Sequence, residues 1–336
     1  MHNANNIMQR ILPGLLAVAV VAGCNSDADQ GLPTTPPTKV ELITDTGFRH
    51  AGAVESNPDG TIFYAAAFDE QDRPGIFSVT VDSSAVAPLH VGEPLLYPAD
   101  LAMSCDGSSL FIADMGLGVP DSEVGDPTDP LGQTGGIHVM STADGSLAHL
   151  EASGIARAAG AVVSTDCNTL FVTGWTETFA PAVFTVPVGG GAATVIHEGA
   201  PLVSPTGVHV DEANIAWVMD HGARNESGEG LLFAITLDGD VTEVVGGLGM
   251  GRHGGVSLVP GGKTAVIPVR TDRGQSQLIT ANTETGDVQT IPTPQIAYPT
   301  GTAAARNAPV MVVAGEQSIS IATFSDSDSD SDADSE

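Results

Sequence analysis

The segments "NPDGTIFYAAA" (57–67) and "SCDGSSLFIAD" (104–114) decide the fold. In each, an Asp-Gly turn leads into an apolar run rich in aromatic and β-branched side chains, the pattern of a hairpin's second strand. Four more segments repeat a turn followed by an apolar run, without the Asp-Gly pair: "STDCNTLFVTG" (164–174), "VDEANIAWVMD" (210–220), "VPGGKTAVIPV" (259–269) and "ARNAPVMVVAG" (305–315). Each follows a lead-in of small residues anchored at Gly52, Asp100, Gly160, Gly207, Gly255 or Gly301, with spacings of 48, 60, 47, 48 and 46 residues.

A second hairpin follows in most units, as in "GIFSVTVDSSAVAPL", "AVFTVPVGGGAATVI" and "LLFAITLDGDVTEVV". Four strands in a repeat of about 40 to 50 residues is the signature of a propeller blade. The sixth unit stops after its third strand, "SISIATF", and a spare strand lies at the other end of the chain, "TKVELIT" (38–44). Pairing the two closes a ring and removes exposed sheet edges. The expected fold is therefore all-β, a six-bladed β-propeller over residues 38–325 whose last blade is completed by the N-terminal strand.

The flanks carry other messages. Residues 1–23 combine a single basic charge, a twelve-residue apolar run (11–22) and small residues ending at Gly23. That run is too short to span a bilayer and has the order of a secretory signal. It closes as Val21-Ala22-Gly23-Cys24, which resembles the lipobox of bacterial lipoproteins. The resemblance implies cleavage before Cys24, lipidation of its thiol and a cell-envelope location, on the periplasmic side or the cell surface. Residues 24–37, polar and proline-rich, read as a flexible tether. Residues 326–336, with six acidic groups and no side chain larger than alanine that could join a core, read as a disordered acidic tail.

Without residues 1–23 the chain keeps ten basic against 41 acidic side chains, a net charge of −31. Such a surface repels phosphate backbones, so no nucleic-acid partner is expected, and the membrane is met through the lipid anchor only. A monomer is expected. Cys105 and Cys167 fall in equivalent turns of neighbouring blades, where either a disulfide or two free thiols is open to them.

The unit "P-x-x-[LGV]…DG-x-x-LF-[IV]-AD" resembles the blades of NHL-repeat proteins and of the SMP-30/gluconolactonase-like propellers. The latter resemblance implies a hydrolase or lyase with a divalent cation such as calcium over the axis, held by a glutamate in the first lead-in and by Asn or Asp after the proline in later ones. Here the first lead-in reads "FRHAG", and Ala99 and Thr206 stand at later ligand positions, leaving Asp100. The 60-residue spacing of blade 2 comes from an insertion (116–135) whose Asp121, Glu123, Asp126 and Asp129 are further candidates for calcium or, as a loop, for an envelope protein partner.

Seven of the eight arginines after residue 23 map to lead-ins or to loops between second and third strands, which share one face of a propeller. Arg49, Arg157 and Arg252 each stand three residues before an anchor. Tyr97, Ser204 and Tyr298 hold that position in the alternate blades. Guanidinium groups bind oxyanions through planar paired bonds, and phenols add donors. Together with His50 and Asp100, these residues predict a mouth for a small anionic ligand or substrate. Asp220, His221 and His253 are the candidates for acid–base catalysis, if the chain is an enzyme.

Overall fold

The computed structural model describes residues 35–116, 134–249, 255–259, 263–270, 276–293 and 296–324. It is a six-bladed β-propeller. Six four-stranded antiparallel sheets follow in chain order, and their innermost strands neighbour one another around the ring, the sixth returning to the first. From blade 1 to blade 6 these innermost strands are Arg49–Ser56, Pro98–Met103, Ile155–Val163, Pro205–Val210, Ser257–Leu258 and Pro299–Ala304. The second strands are Ile62–Phe68, Ser109–Gly116, Thr169–Thr176, Ala216–Asn225, Thr264–Arg270 and Val310–Gly315.

The sixth blade closes as expected. Lys39–Thr44 lies antiparallel to Ser318–Thr323, with Lys39 opposite Thr323 and Leu42 opposite Ser320. Both ends of the described chain therefore leave from one face, the face that carries the turns between first and second strands.

The core is six cores. Each buried cluster draws side chains from two adjacent blades: Phe111 and Ile137 of blade 2 with Leu170 and Phe184 of blade 3, or Trp217 and Met219 of blade 4 with Ile267 and Ile279 of blade 5. Small residues let the innermost strands approach. A Cβ on Gly160 would lie 2.0 Å from the Thr206 carbonyl oxygen of the next blade, and one on Gly255 would lie 2.9 Å from the Cα of Gly301. This is why glycine is favoured at these positions, and Asp100, the one that carries a charge, needs its own account.

The sequence spacing did not reveal that five innermost strands carry a bulge beside the anchor. In blade 1 it takes one more residue than in the others. Ala53, opposite Ala66, is therefore the counterpart of Asp100 opposite Ala113, rather than Gly52. Arg49 nonetheless keeps its level, because it stands opposite Phe68 as Arg157 stands opposite Trp175.

Cys105 and Cys167 form a disulfide, with a Cα separation of 5.8 Å, across the turn face of blades 2 and 3. Breaking it by reductant or by the pair Cys105→Ser and Cys167→Ser should lower stability by about 2–4 kcal/mol. Denaturant unfolding with and without reductant checks this, and coincident curves would contradict it.

Candidate functional site

The face opposite that disulfide holds the axial mouth. Pairing sets its level: Arg49, Tyr97, Arg157, Ser204 and Tyr298 meet the ends of the second strands at Phe68, Met115, Trp175, His221 and Glu316. The sequence-predicted ring is thus gathered at one height in five blades. Arg252 and His253 lie outside the described residues, as do Arg273, Cys24, Asp121, Glu123, Asp126 and Asp129.

The arginines at this face divide into two kinds. Arg49 pairs with Asp72, Arg73 with Asp69 and Arg224 with Glu229, each a carboxylate of its own blade. Exposed pairs of this kind hold a loop and contribute little to stability. The other two lie on aromatic rings. Buried Arg157 stands 5.4 Å from the centroid of Phe179, and exposed Arg270 stands 5.9 Å from that of Tyr298. Stacking on an aromatic face stabilises the cation and fixes the guanidinium plane.

Beneath them is an apolar floor. Trp175, Met115, Ala99 and Ala159 form one buried cluster, with Tyr97 packed against it and Phe68 6.1 Å from the Tyr97 ring. The backbone is strained here as well. His50, Asp72, Phe179 and Tyr298 all have left-handed φ, between 50° and 59°, an uncommon conformation for residues other than glycine. Such strain persists only where surrounding structure imposes it, and it clusters at functional sites. His50 also meets Glu316 at 3.1 Å.

Asp220 has a structural task. Its fully buried carboxylate accepts backbone N–H bonds from Val203, Ser204, Gly222 and Ala223 at 2.8–3.0 Å. Asp114 does the same in blade 2 for Leu96, Tyr97 and Gly116. The "AD" ending of the repeat is therefore a staple that ties the second strand to the lead-in. His221 sits beside it with Nε2 3.3 Å from Ser204 Oγ and Nδ1 buried, and burial pushes its pKa down.

Asp100 serves the axis instead. It accepts from Leu101 N at 2.9 Å and from Ala161 N of blade 3 at 3.1 Å, stitching two blades together. Glu55, unforeseen from the sequence, does likewise with Ser56 N at 2.7 Å and Met103 N of blade 2 at 3.3 Å. Burial raises Asp100 to about 8 and Glu55 to about 7, and the charge of Glu55 adds to the rise at Asp100. His209, at the position in blade 4 equivalent to Glu55, is pushed down to about 4 by burial and by the charge of Arg306. The repeat alignment contains the signal for this pair: Glu55 and His209 both stand two residues before the turn, where other blades have Ala102, Val162, Ser257 and Ala303. Among the described residues, no group of three His, Cys, Asp or Glu side chains could hold a metal ion.

Between blades 2 and 3 a separate groove of about 350 Å³ is lined by His138, His149, Asp114, Glu151 and Glu177. Its carboxylates make it a poor place for an anion.

No family profile and no curated protein matches the chain. Many solved structures do. An auxiliary nutrient binding protein from Bacteroides thetaiotaomicron aligns over 86% of this chain and 72% of its own, with a TM-score of 0.57 at 12% identity. TolB from Acinetobacter baumannii aligns over 72% of this chain and 54% of its own (TM-score 0.55, 14% identity). A chain of the nidogen/laminin complex aligns over 73% and 81% (TM-score 0.55, 14% identity). At such identities the likeness establishes the fold alone.

The axial carboxyls make a pH prediction. Their folded pKa values lie above the unfolded ones, so the stability they confer is complete below about pH 4 and is lost as pH rises through about 7 to 8. His209 acts in the other direction between about pH 6.5 and 4. Asp100→Asn should flatten the loss between pH 5 and 8.5 in urea unfolding, and a profile parallel to the wild type would contradict the assignment.

Proposed function

We propose that the chain is a lipid-anchored cell-envelope propeller that binds a small anionic ligand at its axial mouth. The observation that carries the reading is the pair of stacked guanidiniums, Arg157 on Phe179 and Arg270 on Tyr298, in a chain whose net charge is −30. Both rings sit on left-handed backbone, so the fold holds strained residues where they orient these cations. Arg49 contributes at the rim, where Asp72 already meets it. Arg252 extends the ring in the sequence pattern.

The envelope part of the reading rests on three features. The lipobox-like Val21-Ala22-Gly23-Cys24 supplies the anchor. The disulfide fits an oxidising compartment. Strand Lys39–Thr44 begins on the face opposite the mouth. The hydrolase alternative has less behind it, since Asp220 is spent on four backbone donors.

A thermal-shift series at constant ionic strength tests the site. Acetate, phosphate, sulfate and citrate are the probes, and at saturation the one that binds should raise Tm by several degrees through mass action. Arg157→Gln or Arg270→Gln should reduce the shift at least severalfold, and Arg49→Gln much less. Absence of a shift with every anion would contradict the reading.

A further inference from the structure

The groove between blades 2 and 3 is rich in acceptors, and no arginine or lysine lines it. We infer that it binds a short alkyl diamine, with one ammonium at a floor made by Asp114 and His138 and the other at a rim made by Glu151 and Glu177. This site is independent of the anion reading, because it uses none of the arginines at the mouth.

The floor begins with a cross-strand pair. His138 and His149 stand opposite each other on the third and fourth strands of blade 2, Thr134–Ser141 and Leu147–Leu150, with ring centroids 5.7 Å apart. His138 is only 8% exposed, yet its Nδ1 is buried with no hydrogen-bond partner among the described residues. Its Nε2 stands 4.0 Å from Asp114 Oδ2, beyond hydrogen-bond reach. Buried polar atoms are nearly always paired, so an unpaired imidazole in a cavity wall favours a ligand that brings a donor.

The charge states suit an ammonium. Burial holds the His138 pKa below its usual value against the pull of Asp114, so near neutral pH the ring is uncharged and offers a lone pair. Asp114 also keeps acceptor capacity. Its Oδ1 takes the N–H groups of Tyr97 and Gly116, but its Oδ2 takes only that of Leu96. Each carboxylate oxygen has two lone pairs, so Oδ2 can accept once more.

The rim supplies a second charge. Glu151 follows the fourth strand of blade 2, Glu177 follows the second strand of blade 3, and both are exposed in the lining. Leu96 and Ile155, partly exposed in the same lining, offer apolar surface to the methylenes. A volume of about 350 Å³ lies at the lower end for ligand pockets, which suits a short chain. A metal ion is less well served, since among the described residues no three ligating side chains converge.

The test titrates the full chain at constant pH and ionic strength with putrescine, butylamine, tetramethylammonium or zinc ion alone. NMR follows the ring C–H signals of His138 and His149, assigned with His138→Gln and His149→Gln. Salt screens the general attraction of cations to a chain of net charge −30. Putrescine should move both signals and bind at least severalfold more tightly than butylamine. Tetramethylammonium, a cation with no N–H to donate, should leave both signals in place. The double variant Glu151→Gln with Glu177→Gln, at exposed positions, should keep the wild-type Tm and bind putrescine no better than butylamine.

Four results overturn the inference: putrescine no better than butylamine, tetramethylammonium equal to putrescine, putrescine affinity unchanged in the double variant, or zinc ion binding at the two histidines more tightly than putrescine. The anion reading is tested with other probes and other variants, so either proposal can fail alone.

Discussion

Everything in this molecule depends on closing the ring. A single four-stranded blade has two faces to bury and two edges to satisfy, and can do neither alone. Each face is covered by the next blade, giving six seams of side chains in place of one central core. That arrangement holds only if the sixth blade meets the first. Lys39–Thr44, supplied from the other end of the chain, gives Ser318–Thr323 the outer partner that it would otherwise lack. Near the axis the constraint is steric. Backbones converge until Gly160 and Gly255 have no room for a side chain, and where one is admitted, as at Asp100, it bonds to the neighbouring blade's backbone.

Repetition made the fold legible. The Asp-Gly turns, the period near 48 residues and the incomplete sixth unit each follow from strand chemistry, and together they fix blade number and closure. The lead-in pattern also placed Arg49, Tyr97, Arg157 and Tyr298 at one level. Bulges were invisible, because an extra residue in a strand leaves no mark in a spacing that loops of varied length already blur. The count from Gly52 therefore missed its true counterpart, Ala53.

Side-chain roles were much less legible than positions. Nothing in the order of residues says that Arg49 meets a carboxylate, Asp72, while Arg157 lies on a ring, Phe179. Both partners come from the loop after the second strand, and only the path of that loop decides between them. Asp220 had the appearance of a catalytic acid because Asp and His stand side by side. Its role as a staple needs four N–H groups that only the folded lead-in and loop supply. Glu55 and His209 stood in plain sight in the repeat alignment, but their importance comes from burial at the axis, which lies between blades rather than within one.

The central claim is that a small anion binds at the mouth on the face opposite the disulfide. Hydrogen–deuterium exchange of the full chain, with and without saturating citrate, tests it most directly. The account predicts slowed exchange in the segments around residues 155–160, 174–180 and 296–300, with the turns at 104–108 and 164–168 unchanged. Protection confined to those turns, or absent throughout, would contradict it.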